Sequence, residues 1–255
     1  NLYGWLGAIP GLKKWIGERE IQKVSDNAYS IANEKFELTV GVPRDDIEDD
    51  NYGVYTPMME AMGESTALHK DERVSEAVKN GFTEKCYDGQ PFFSERHQVG
   101  SITYSNKGDA KLDAESFQAA RQSIMSLKNE KGQPLNIVPN VLLVPPALEK
   151  EARMILEAEL VNGTSNINKG LAEVVVWSQL ADKPTQWYLL CTKRSLKPFI
   201  FQERRKAKFT AMTRETDENV FMRSEYLYGV DARDGVGYGF WQMAYGSTGT
   251  ASSMG

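Results

Sequence analysis

Two cysteines in 255 residues, Cys86 and Cys191, supply neither a disulfide framework nor a four-ligand zinc cluster, and their separation suggests no local redox pair. Two reduced, packed thiols are expected. No run of about 18 apolar residues occurs, so neither a bilayer-spanning helix nor a secretory leader is predicted, and the chain reads as soluble and intracellular. Basic residues are outnumbered, 30 against 35 acidic, and the formal charge of -5 provides no global positive field to hold a polyphosphate backbone. Apolar residues are not scarce: at 41%, beside 25% charged, they can build a core in one large domain or two smaller ones, which excludes disorder as the main state.

The first seventeen residues place Trp5, Leu6, Ile9, Leu12, Trp15 and Ile16 among four glycines and a proline, too broken for one long helix. This is an apolar arm, folded either onto its own core or onto a neighbouring subunit. Glu34 to Val42 alternates, with Phe36, Leu38, Val40 and Val42 on one face and Lys35, Glu37 and Thr39 on the other, the period of a half-buried strand. Tyr29 and Ile31 imply a preceding strand, and the turn-forming Ser25-Asp26-Asn27 makes residues 20–43 a predicted β-hairpin.

Arg44 is followed by Asp45, Asp46, Ile47, Glu48, Asp49 and Asp50, acidic charge suited to the amino end of a following helix. The run lacks the alternating ligand spacing of a calcium loop, so no metal is predicted there. After Pro57, Met58, Met62 and Ser65 or Thr66 recur at helical spacing, and Val74, Ala77 and Val78 follow before Gly81, which reads as one long helix and one short one. The methionine stripe is ordinary core. Asp113 caps a helix carrying Phe117, Ala120, Ile124 and Leu127, with Gly132 and Pro134 ending it. A short strand, Val141 to Val144, precedes a helix restarted by Pro145-Pro146 through Leu148, Ala152, Ile155 and Glu159 or Leu160. Beyond Leu171 the texture is β, with strands predicted over Glu173 to Trp177, Trp187 to Cys191, Phe199 to Gln202, Val220 to Val230 and Gly237 to Tyr245, then a loose tail from Thr248.

Chemistry is thin. Cys86 and His97, with Asp88 as an orienting carboxylate, form the best candidate for a thiol hydrolase, yet no nucleophile signature surrounds the cysteine. His69 reads as part of a solvated helix end. The alternating glycines of Gly235-Val236-Gly237-Tyr238-Gly239 lie between strand patterns rather than between a strand and a helix, so they read as a turn and not as a phosphate cradle. Asn162-Gly163-Thr164 matters only in a secretory compartment. Arg204, Arg205, Lys206 and Lys208 form the dense basic group, without aromatics at stacking spacing; a solvated loop explains it, and so does pairing with the acidic run of a neighbouring subunit.

Six blocks in order, Tyr3-Gly4-Trp5-Leu6-Gly7, Trp15-Ile16-Gly17, Arg44 to Asp50, Cys86-Tyr87-Asp88-Gly89-Gln90, Lys197-Pro198-Phe199-Ile200-Phe201-Gln202 and Tyr226 to Val230, together resemble the major head subunit of Mu-like bacteriophages and prophages. Phe93-Ser94-Glu95-Arg96-His97-Gln98 departs from the family pattern, which usually has an acidic residue after the aromatics and proline after the histidine. The resemblance implies an α+β chain with the tailed-phage, HK97-like major capsid fold: an N-terminal arm over residues 1–19, an E-loop hairpin within 20–46, a peripheral domain with a spine helix over 47–112, an axial domain over 113–192, and return strands with a tail over 193–255.

It further implies a non-enzymatic shell protein without cofactors, forming hexamers and pentamers of an icosahedral capsid. Scaffold, portal and decoration proteins would be its partners, and double-stranded DNA would be enclosed without specific binding or any membrane. Such a protein resides in the virion capsid and assembles in the host bacterial cytoplasm. Candidate subunit contacts are Trp5, Trp15, Lys35, Phe36, Arg44, Asp45, Asp46, Asp49, Asp50, Arg204, Arg205 and Lys206. A hairpin and an arm that leave the body cannot bury both faces alone, so copies of the chain would complete each other's cores. The competing expectations are an encapsulin-like nanocompartment shell and the Cys/His hydrolase.

Overall fold

Local sequence signals set most element starts. The computed structural model describes residues 2–5, 27–49, 53, 55–161 and 163–251. In chain order these form β1 (Leu2–Trp5), β2 (Asn27–Ser30), β3 (Glu34–Pro43), α1 (Arg44–Glu48), α2 (Tyr55–Asn80), β4 (His97–Val99), β5 (Ile102–Tyr104), β6 (Lys107–Gly108) and α3 (Ala114–Met125). They continue with β7 (Val141–Val144), α4 (Glu149–Leu156), β8 (Leu160–Val161), β9 (Thr164–Ser165), β10 (Glu173–Val176), β11 (Trp187–Leu190), β12 (Phe199–Met212), α5 (Glu218–Arg223), β13 (Glu225–Tyr238) and β14 (Ala244–Ser247). The chain divides into two units, one of residues 1–30, 75–200 and 237–255, the other of residues 31–74 and 201–236. Among the described residues no helix is long and apolar enough to cross a membrane.

The larger unit is organised by a five-stranded sheet in the order β10-β7-β11-β14-β6. β10 runs parallel to β7 and β14 to β6, while β11 is antiparallel to both of its neighbours. The continuously apolar Val141 to Val144 and Trp187 to Leu190 are its central strands, as expected of strands covered on both faces. Asp113 caps α3: its carboxylate accepts from Ser116 N at 2.7 Å while the Ser116 hydroxyl accepts from Asp113 N at 2.9 Å, satisfying two otherwise unpaired amides. Phe117, Ala120, Ile124 and Leu127 are all buried, as their spacing predicts. The helix nevertheless ends at Met125, because residues 126–135 turn back through an isolated bridge between Lys128 and Pro134. Phe92, Phe93, Tyr188 and Tyr238 form the aromatic centre of this unit; the Phe92 and Tyr238 rings stack 4.8 Å apart.

The smaller unit has a three-stranded antiparallel sheet, β12-β13-β3, and the first part of α2. β3 is where the alternation places it, but among the described residues of the predicted hairpin over 20–43, β2 and β3 do not pair with each other. β2 pairs instead with β1, and β3 pairs with β13 from Pro43 opposite Glu225 to Glu34 opposite Asp234. Pairing partners are set by burial of the whole face, which a local period does not encode.

Other expectations are corrected. α2 is one helix of 26 residues rather than two, since nothing between Met62 and Val74 breaks it. The acidic run is itself the short helix α1. Leu160 leaves α4 for the β8–β9 hairpin. Val220 lies in α5, and the strand begins only at Glu225 after Ser224 turns through a left-handed φ of 52°. The glycines at 235 and 237 belong to β13 and not to a turn: a Cβ on Gly235 would stand 2.2 Å from Ala32 O, and one on Gly239 2.0 Å from Lys197 O. Gly237 to Tyr245 is not one strand, because a 3-10 turn over Trp241–Met243 separates β13 from β14. The chain after Ser247 is held as far as Ala251, whose amide donates to Asp109 O at 2.8 Å, with Thr248 N donating to Gly108 O at 3.1 Å.

Candidate functional site

In the smaller unit, pairing in register puts Phe36, Leu38, Val40 and Val42 opposite Ala232, Val230, Tyr228 and Tyr226, and opposed residues share a face. α2 covers one end of this face. The His69 ring lies 4.4 Å from Phe36, and the Arg73 guanidinium sits 4.8 Å over the same ring. Behind them Asp234 is buried and takes a 2.9 Å hydrogen bond from His69 Nε2, while Arg73 also pairs with Glu34. Along the strands the face opens into a groove of about 280 Å³ lined by Phe36, Leu38, Phe201, Val230, Lys70 and Glu203, and Leu38 stays 38% exposed. Lys70 pairs with Glu203 at 3.0 Å across it. His69 is thus a packing residue and not the solvated helix end that its charged neighbours imply.

The candidate contact residues fall on different parts of this unit. Lys35 is exposed opposite Arg233 of β13. Arg44 is held by its own chain: its amide donates to Ser224 O at 2.8 Å, and its guanidinium pairs with Glu48 at 2.7 Å and Glu215 at 3.8 Å. The Glu48 carboxylate is pushed below its usual range by that hydrogen bond. Asp46 accepts from the Tyr55 hydroxyl at 3.1 Å, while Asp45 and Asp49 are exposed. Arg204, Arg205 and Lys206 are not in a loop but on β12, whose residues from Glu203 to Met212 are exposed on both faces of an edge strand. Arg205 pairs with Asp231 of its own chain, so the basic group does not wait wholly for a neighbour. Trp15, Asp50 and the side chain of Trp5 lie outside the described residues; the Trp5 backbone pairs with Asn27.

The sequence reading missed the most exposed apolar side chains of this unit, Phe221 at 80% and Met222 at 69% on α5. A signal was available: Asp217 followed by Glu218 is an acidic helix start, and it contradicts the strand pattern read from Val220.

The larger unit gathers Cys86, Asp88 and His97, whose ligand-type atoms all lie within 4.8 Å of one another. Cys86 Sγ donates to Asp88 Oδ1 at 3.1 Å, Gln90 N donates to the same oxygen at 3.0 Å, and His97 Nδ1 donates to Asp88 Oδ2 at 2.6 Å. Asn106 fixes the far side of the ring. Its Oδ1 accepts from Ser94 N at 2.9 Å, and its amide group donates to Phe92 O, Trp241 O and Ala244 O, so the oxygen must be the atom facing His97 Nε2 at 3.1 Å. The imidazole stacks on Trp241 at 4.2 Å with an interplanar angle of 5°.

Burial first, then the Asp88 charge and hydrogen bond, push the Cys86 thiol far up. Burial opposes ionisation of Asp88 as well, but the His97 hydrogen bond and charge, with donors from Cys86 and Gln90, outweigh it and hold the carboxyl below its usual value. A nucleophilic cysteine needs the opposite, a lowered pKa beside a base. Here His97 turns Nδ1 to the carboxylate, which removes the geometric basis of the hydrolase reading.

The match to known proteins is broad. The family model of the Mu-like prophage major head subunit gpT matches residues 1–111, 101–180 and 178–253. The major capsid protein of Escherichia phage Mu is 39% identical over 244 residues, spanning 96% of this chain and 60% of that protein. The Mu-like prophage FluMu major head subunit of Haemophilus influenzae is 35% identical over 245 residues, with the same two shares, 96% and 60%. The chain therefore spans about three fifths of the length of these curated relatives. Among solved structures, the procapsid of bacteriophage JBD30 superposes with a TM-score of 0.57 at 37% identity, covering 99% of this chain and 64% of that one. The fold is the α+β, HK97-like fold of tailed-phage capsids.

Proposed function

Because the chain belongs to the family of Mu-like prophage major head subunits, we propose that copies of it tile the icosahedral head shell of a tailed phage or prophage that packages double-stranded DNA. The observation that carries the proposal is the family match in one order from residue 1 to residue 253. The smaller unit supports it: an edge strand exposed on both faces, a half-covered apolar sheet face and the uncovered Phe221 and Met222 are surfaces that a neighbouring copy would bury. A shell needs no single strong contact, since each subunit touches several others and closure multiplies modest ones.

On this reading residues 1–19 serve as the arm, 20–46 as the E-loop, 47–112 as the peripheral domain with α2 as its spine, 113–192 as the axial domain and 193–255 as the return. Hexamers and pentamers form in the bacterial cytoplasm, with scaffold, portal and decoration proteins as further partners, and the finished protein resides in the virion. The net charge of -5 suits a wall that encloses DNA without gripping it. Trp5, Trp15, Lys35, Phe36, Arg44, Asp45, Asp46, Asp49, Asp50, Arg204, Arg205 and Lys206 act as contact groups. The role is structural, without a catalytic centre.

Electron microscopy of the purified chain, expressed alone and with its neighbouring head genes, tests this. Closed particles are expected. A monodisperse monomer in both preparations, at concentrations where relatives form shells, would overturn it. Arg204→Glu with Arg205→Glu should lower particle yield while leaving the thermal midpoint of the isolated chain unchanged, because the exposed pair of Arg205 with Asp231 contributes little.

A further inference from the structure

We propose that Cys86, Asp88 and His97 form a binding site for one divalent transition-metal ion, with Zn²⁺ as the ion their chemistry selects. A thiolate, an imidazole and a carboxylate are a zinc-type set of three protein ligands, leaving a fourth position for water. Their ligand atoms already converge within 4.8 Å. Around a tetrahedral zinc, with bonds of about 2.0–2.3 Å, ligand atoms stand roughly 3.5 Å apart. The 2.6 and 3.1 Å contacts, made to the two different Asp88 oxygens, would open by less than about an ångström, and ligand atoms that stand as far as 4.8 Å apart would draw together by about the same amount.

The surroundings are those of a metal-bound imidazole. Such a ring hands its second nitrogen to a carbonyl, amide oxygen or carboxylate, which fixes its orientation. His97 Nε2 faces Phe92 O at 3.2 Å and Asn106 Oδ1 at 3.1 Å, so Nδ1 is the atom left to face Cys86 and Asp88. Asp88 is the most accessible member, at 17%, and borders a pocket lined by Tyr87, Gln90, Arg96, Gln98 and Thr103 through which an ion and its water can enter.

The exchange balances. In the metal-free form the Cys86 S–H and the His97 Nδ1–H both donate to Asp88. On binding, those two bonds to hydrogen break: the thiol proton leaves to solvent, and the bound imidazole is neutral with its one hydrogen on Nε2. Bonds form from Zn²⁺ to Sγ, Nδ1 and one Asp88 oxygen, and the ion keeps its oxidation state. Zn²⁺, thiolate, imidazole and carboxylate together carry no net charge, so the buried metal cluster is neutral, which avoids the main cost of placing an ion inside a protein.

Titration of the metal-stripped full chain with Co²⁺ tests the site. A stoichiometry of one, a sulfur-to-cobalt charge-transfer absorption and its displacement by Zn²⁺ are expected, with release of the Cys86 thiol proton seen in calorimetry across buffers of different ionisation heat. Cys86→Ser should abolish the absorption, Cys191→Ser should keep it, and Asp88→Asn should weaken binding roughly tenfold or more. Circular dichroism of each variant checks folding; if Cys86→Ser does not fold, Asp88→Asn and Cys191→Ser carry the decision. Absence of the absorption in the wild-type chain, or its survival in Cys86→Ser, would overturn the site, and so would full affinity in a folded Asp88→Asn. None of these outcomes bears on shell formation, which is read separately by microscopy.

Discussion

Replacing Asn106 with alanine should loosen the larger unit and leave the smaller one intact. Asn106 is buried and ties three segments together: its oxygen accepts from Ser94 N and faces His97 Nε2, and its amide donates to Phe92 O at 2.8 Å, Ala244 O at 3.2 Å and Trp241 O at 3.3 Å. Alanine leaves Ser94 N without its 2.9 Å acceptor. His97 Nε2 keeps Phe92 O at 3.2 Å, and Ala244 O remains in a strand paired with β11, so these groups lose less. One orphaned buried donor costs about 1–3 kcal/mol, and weakening of the other bonds brings the expected total to about 3 kcal/mol. For a chain of this size that lowers the thermal midpoint by roughly 6–12 °C. Trp187 and Trp241 are buried in the larger unit, so the change in tryptophan fluorescence during urea or thermal unfolding follows the loss of its core. A change below about 1 kcal/mol would refute the claim that this amide holds the segments together.

Gly239→Ala should destabilise the same unit by about 3 kcal/mol in urea unfolding, since its Cβ would meet the Lys197 carbonyl at 2.0 Å and backbone has nowhere to go. Burial raises the hydroxyls of Tyr29, Tyr87, Tyr188, Tyr238 and Tyr245 above the ordinary value of 10.0. The unfolded chain therefore loses protons first, stability falls as pH rises above that value, and these five should ionise later in the folded chain than in the unfolded one, which a tyrosinate absorbance titration with and without urea would show. Phe221→Ser with Met222→Ser should leave unfolding within about 0.5 kcal/mol of wild type, because both side chains are already in water, while reducing particle yield several-fold by microscopy. Iodoacetamide should modify neither Cys86 nor Cys191 at neutral pH in the folded chain, as mass spectrometry would show, because both are buried.

What could be read from the sequence was whatever is decided within a few residues. The alternation of β3, the Asp113 cap and the apolar β7 and β11 are each local signals, and each element forms where its signal lies. The partner of β3 was illegible, since a strand's period says which face is apolar and nothing about which distant strand matches it. α5 was read as strand because valine and phenylalanine favour sheets in general, and the acidic helix start at Asp217 and Glu218 was overlooked. The Cys86–Asp88–His97 cluster was half visible. The residue types stood out, but their distances depend on Asn106, which fixes the histidine ring from outside the motif.

The register between β3 and β13 has a temporal meaning. Residues 34–43 leave the ribosome well before residues 225–234, the strand that completes their ladder. Closing so long a loop comes late in folding, and until then the early strand has no defined edge to offer. A nascent or prematurely terminated polypeptide would thus lack the sheet on which the proposed contact groups are mounted. The surface that the proposed contacts require would therefore be complete only once residue 234 has been made, and shorter fragments would not present it.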